Sequence, residues 1–219
     1  MDKDKEYADY VGWVRNRAKR VENGYSHIPF HGKAKLVKCR DMSRGVLAII
    51  LDMCPESDGE LYEHFVVDSL GLILGEAVDK SHVLMHGPCE GGFYDMEFPL
   101  CSEVLDEYPL WSHWAMRYQM ESIIVEAKNL AEKAAKEYVE QLRSYLGNNK
   151  KGRFGLLVCR NGFTRPALKR MRRCAEGDDT LIVPLDQKDL KLLLRASGHG
   201  QKPVMKFLRR KVTSLLRVW

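Results

Sequence analysis

With 219 residues, 45% of them apolar, the chain is long enough to bury a full core, which excludes a disordered tail or a low-complexity spacer. The formal net charge of +5, from 35 Lys and Arg against 30 Asp and Glu, is modest, so its layout matters more than its size. The longest apolar runs, such as GVLAIIL at 45–51, fall far short of the roughly 20 residues that span a bilayer, and the opening MDKDKEYADY has no signal-peptide core. The expectation is a soluble, cytoplasmic α/β protein with no membrane partner. Cys39, Cys54, Cys89, Cys101, Cys159 and Cys174 form no CxxC pair, which predicts reduced, mostly buried thiols rather than a zinc site or a disulfide framework.

Residues 4–22 are charged and helix-prone and end at Asn23-Gly24; GYSHIPFHG and a short segment at 43–54 follow. Together 1–58 are expected to form an N-terminal helical appendage that binds a partner or substrate. CPESDG at 54–59 breaks the chain and offers caps for a helix starting near Glu60. SHVLMHG at 81–87 and GGFYDMEF at 91–98 predict a strand, a turn and a second strand. FGLLVCR at 154–160 and TLIVPLD at 180–186 are short apolar runs bounded by turn residues, as expected of central strands covered on both faces. Helices are expected at about 164–174, 187–196 and 203–217. Residues 59–219 thus form the main domain, closed by a basic C-terminal helix.

The stretch 121–146 admits two descriptions. With no Gly or Pro inside it could be one amphipathic helix, which would imply a helical interaction protein. Three consecutive β-branched residues, Ile123 to Val125, instead favour a strand over 122–128, followed by a helix over 130–146. Asn129 would be its N-cap, Glu132 its third position and Gly147 its stop. The second description explains more residues. It also delivers Glu126 and Lys128 to one face, because strand side chains alternate.

Between Gln141 and Ala175 there are ten Lys or Arg and no acid, and from Leu190 to Trp219 eight more, again with no acid. Cations in such runs neutralise phosphates, so Arg143, Lys150, Lys151, Arg153, Arg160, Arg165, Lys169 and Arg172 are candidate nucleic-acid-binding residues. The seven histidines show no ligand spacing, and His82 and His86 are expected merely to flank a strand. Trp111 and Trp114 are expected to pack onto the core, with stacking on bases as the alternative.

An acid on one strand, Asp95 in GGFYDMEF, is followed by an apolar strand ending in Glu-x-Lys, Glu126-Ala127-Lys128 in IIVEAKN. A Glu follows a Gly on the preceding helix, Glu63 in GELYE, and QLRSY supplies a Gln-x-x-x-Tyr pair, Gln141 and Tyr145. On these residues the chain resembles the PD-(D/E)XK, or restriction endonuclease-like, nuclease superfamily, with the Gln-x-x-x-Tyr helix of members related to the RecB nuclease. The resemblance covers 59 to about 186. It departs from the family pattern in having Tyr-Asp where Pro-Asp is usual; Glu97 for Asp95 and Glu60 for Glu63 remain open as alternatives.

The resemblance implies a three-layer core, a central mixed sheet flanked by helices, and a Mg²⁺-dependent deoxyribonuclease in which Mn²⁺ substitutes. Asp95, Glu126 and the Ala127 carbonyl would hold the metal, with Glu63 on a metal water or a second ion. Lys128 would orient the attacking water or stabilise the transition state, and Gln141 and Tyr145 would brace the site. It further implies DNA as partner, a protein partner or homo-oligomer that supplies targeting, and a place among effectors of prokaryotic defence. The rival is a catalytically inactive nucleic-acid-binding or assembly subunit of the same fold.

Overall fold

The structure, a computed structural model, describes residues 51–89, 92–103, 105–147 and 151–217 together with positions 8, 12 and 48. Most of the expected appendage, 1–58, and Lys150 lie outside the described residues. Residues 51–53 are helical, and Leu51 and Cys54 are buried in the core of the domain.

The first full helix, α1, spans Gly59–Leu74. The Asp58 side chain caps it by accepting from the Leu61 amide at 2.9 Å. Strands β1 (Leu84–Cys89) and β2 (Gly92–Pro99) form an antiparallel pair, then α2 runs over Pro109–Tyr118 and β3 over Ser122–Lys128. Helix α3 (Lys136–Tyr145), β4 (Phe154–Cys159), α4 (Arg165–Gly177), β5 (Leu181–Asp186), α5 (Gln187–Ser197) and α6 (Gln201–Arg217) complete the order. The sheet is mixed: β1, β2 and β3 are antiparallel neighbours, while β3, β4 and β5 run parallel in the order β1-β2-β3-β4-β5.

Both faces of the sheet are covered, an arrangement compatible with a three-layer core. One cluster joins Met96, Ile123, Val125, Leu156 and Val183 to α1, α2, α5 and α6. The other joins Ile124, Leu157, Cys159 and Ile182 to Val139 and Leu142 of α3 and Ala167 and Met171 of α4. Alternation along β3 explains why its greasy run needs both layers: Ile123 and Val125 face one, Ile124 the other, and all three are fully buried. Trp111 is fully buried and Trp114 nearly so. Trp111 meets Phe154 edge-on at 6.2 Å, and Trp114 lies tilted against Phe154 at 5.3 Å, so the pair packs onto the core.

Three expectations are corrected. The helix after β3 starts at Lys136, not Leu130, and Asn129 is not its cap. Residues 130–135 are instead tied to the 161–164 turn: Ala134 exchanges backbone hydrogen bonds with Gly162 and Thr164, and Asn161 donates to the Leu130 and Ala131 carbonyls. These tertiary bonds occupy groups that a helical turn would have needed. Second, β4 is interior but β5 is the edge strand, a place that suits its Pro184. It reads as central because α6 sends Val204 and Leu208 into one cluster and Leu215 into the other, covering that edge. Third, His86 lies inside β1 rather than beside it.

Candidate metal centre

The apolar run of β3 ends where its side chains reach the sheet surface beneath α3, and there Glu126 is fully buried. Its Oε1 accepts from Lys128 Nζ at 2.6 Å and from Gln141 Nε2 at 2.7 Å. Gln141 also donates to the Tyr145 hydroxyl at 3.0 Å, so the two polar residues one turn apart on α3 work as one brace. Glu126 Oε2 is buried with no hydrogen-bond partner.

Asp95 comes from the neighbouring strand. Its Oδ2 accepts from the Ala127 amide at 2.8 Å and lies 3.4 Å from Lys128 Nζ. Glu97 points to a different set of partners: Ser122 Oγ and Lys151 Nζ, each 2.6 Å from its Oε1, and the Tyr94 hydroxyl. Of the two candidate strand acids, Asp95 therefore joins Lys128 and Glu97 is tied up elsewhere. On α1, Glu60 is exposed, whereas Glu63 turns inward. Carboxylate oxygens of Glu63 and Asp95 and a ring nitrogen of His86 all lie within 4.8 Å of one another, and could hold a metal ion. His86 is the residue that sequence spacing missed; the hairpin register carries the signal, since Met85 pairs with Met96 and Gly87 with Tyr94, leaving His86 across from Asp95.

The electrostatics follow from packing three acids around one lysine. Burial, then the Asp95 charge, pushes the Glu63 carboxyl up to about 8. Burial and Asp95 likewise raise Glu126 to about 7, against the pull of Lys128. For Lys128, burial works against the charge, but Asp95 and Glu126 outweigh it and hold the ammonium above its usual range. Glu97 behaves oppositely: burial would raise it, and the bonds from Lys151, Ser122 and Tyr94 hold it below the usual carboxylate range.

The basic candidates are scattered in role. Arg160 donates to the Cys54 carbonyl at 2.6 Å and to Asn129 Oδ1 at 3.0 Å, and Asn129 donates to the Pro55 and Asp58 carbonyls, so this pair fastens the loop before α1. Arg143 pairs with Asp178 at 2.8 Å, Arg153 with Asp179 at 3.7 Å, Arg172 with Glu176 at 2.7 Å and Lys151 with Glu97. Arg165 and Lys169 are exposed on α4. A different set stands out on α6. Lys202, Lys206, Arg209, Arg210 and Arg217 are exposed, and Lys211, paired with Asp189, is the one cation of that helix with an acidic partner among the described residues. Between α2 and α6 runs a groove of about 930 Å³ lined by Tyr108, His113, Trp114, Lys202, Lys206 and Arg209.

No helix among the described residues is long and apolar enough to cross a membrane. Comparison with protein-family models, curated proteins and solved structures found no match to this chain.

Proposed function

We propose that the protein is a metal-dependent phosphodiesterase that cleaves DNA at the cluster of Glu63, Asp95, Glu126 and Lys128. The observation that carries this is the orphaned Glu126 Oε2. Its sister oxygen accepts from both Lys128 and Gln141, whereas Oε2 is buried with no donor, and a hard cation between Glu126 and Asp95 would saturate it. Asp95, Glu126, Glu63 and the Ala127 carbonyl would hold Mg²⁺ or Mn²⁺, which when bound acidifies a water and neutralises charge growing on the phosphate. Lys128, already held between two carboxylates, would steer that water and meet negative charge on the phosphoryl oxygens. Gln141 and Tyr145 keep the Glu126 rotamer fixed.

The cations supply the substrate surface. Arg165 and Lys169 on α4 and the exposed set on α6 present positive charge that can track a phosphate backbone. The test is incubation of the purified protein with plasmid, linear duplex, single-stranded DNA and RNA, with and without Mg²⁺ or Mn²⁺. Metal-dependent DNA cleavage lost on Asp95→Asn and on Glu126→Gln is expected. Salt-sensitive DNA binding with no cleavage under any metal would instead establish the binding-subunit alternative.

A further inference from the structure

Within β1, His86 has φ of 52°, a left-handed conformation that a non-glycine residue adopts at a cost. The register is unbroken on either side, from the Met85–Met96 pair to the Gly87–Tyr94 pair, so no residue has been inserted and the distortion is local to His86. Its imidazole Nε2 lies 3.6 Å from a Glu63 oxygen, beyond hydrogen-bond distance, and the ring is half-exposed at the mouth of the site. Glu63, Asp95 and His86 thereby offer two carboxylate oxygens and one ring nitrogen from three different elements to one point in space. The buried, unpartnered Glu126 Oε2 belongs to the same charge cluster, since Asp95 acts on both Glu63 and Glu126.

We infer that His86 is a nitrogen ligand of the metal centre, and that it makes the site selective for a first-row divalent ion such as Mn²⁺ over Mg²⁺. This rests on the metal-site reading above and goes beyond it by fixing the donor set. Mg²⁺ demands oxygen donors and keeps its waters, whereas imidazole is a good ligand for first-row transition ions. Mn²⁺ is the weakest binder of that series, so any preference for it over Mg²⁺ is a lower bound on the selectivity. A site built from Glu63, Asp95 and Glu126 alone would carry only oxygens, donors that suit both ions, and would show a much weaker bias.

The test is metal binding by the full chain, read without any cleavage assay. Mn²⁺ titrated into the wild-type protein is followed by calorimetry and by pulsed electron paramagnetic resonance, alongside Mg²⁺ calorimetry. Expected are a ¹⁴N coupling on the bound Mn²⁺, its loss in His86→Gln, a rise in the Mn²⁺ Kd of about tenfold, and a much smaller change for Mg²⁺. Because His86→Gln retains a polar side chain at a strained position, its melting curve is taken in parallel, and His86→Asn, a residue tolerant of left-handed backbone, is the second variant. Mn²⁺ binding that is abolished by Asp95→Asn yet shows no ¹⁴N coupling and no change in either His86 variant overturns the ligand role while sparing the metal centre. No Mn²⁺ binding by the wild type would overturn both.

Discussion

Lys128 has a double part. Its ammonium lies 2.6 Å from Glu126 and 3.4 Å from Asp95, standing where positive charge is most needed. Lys128→Met should therefore keep the metal-induced rise in melting temperature but lower single-turnover DNA cleavage about 10²-fold, the scale of losing one transition-state donor. Equal rates for variant and wild type would remove the lysine from the chemistry. The paired acids carry a pH signature. Glu63 faces Asp95, Glu126, Lys128, His86 and Glu60, and its folded value of about 8 lies above the ordinary 4.5. Glu126 is raised in the same direction to about 7. The unfolded chain thus releases these protons first, and stability of the metal-free protein falls as pH rises from about 4.5 to about 8. Thermal melts across that window should show the decline, and millimolar Mn²⁺ should flatten it. A metal-free melting temperature that climbs steadily over the same range would contradict this arrangement of acids.

At the scale of elements, the site depends on how the β1–β2 hairpin is packed. A Cβ built on Gly87 would run into the buried Tyr94 ring, whose hydroxyl donates to Glu97. Gly87→Ala must push that ring aside in a hairpin that also carries His86 and Asp95. It should cost about 1–3 kcal/mol in denaturant unfolding, the usual penalty of overpacking, and should weaken metal binding as well. Unchanged stability would mean that the hairpin yields without strain. Away from the site residues, α2 reaches the core through Trp111, fully buried and edge-on to both Trp114 and Phe154. Trp111→Ala should remove about 3–5 kcal/mol, read from the same unfolding curves.

For the molecule as a whole, the proposed DNA substrate raises the question of which cations would meet its phosphates. From Lys202 to Arg217, α6 lines up exposed Lys and Arg over about 22 Å, at 1.5 Å per residue. Duplex binding should fall linearly in log K against log salt, and Lys206→Gln with Arg209→Gln should reduce the slope by about 0.9 for each phosphate no longer neutralised. Arg143→Gln and Arg153→Gln, whose side chains are paired with Asp178 and Asp179, should change it far less. A slope insensitive to the α6 changes would place the phosphate surface elsewhere.

Much of this was legible from the residues alone. Apolar patterning and turn residues placed strands at 81–87, 91–98, 122–128, 154–160 and 180–186, each overlapping an observed strand, and the helices after β4 and β5, but gave no helix at Pro109–Tyr118 and started the one after β3 too early. The Glu-x-Lys spacing determined that Glu126 and Lys128 share a face, and the Gln-x-x-x-Tyr spacing that Gln141 and Tyr145 do. Only the tertiary structure decided what depends on distant partners. It separated Asp95 from Glu97 and Glu63 from Glu60, since each choice turns on what lies across the strand or beneath the helix. It withheld the helix from 130–135, because the 161–164 turn claimed those backbone groups. The acid-free run at 141–175 looked like free charge, yet Glu140, Asp178, Asp179 and Glu176, just outside it in sequence, fold back onto its arginines. His86 carried no motif at all; it joins the site through hairpin register, which local sequence does not encode and cross-strand pairing does.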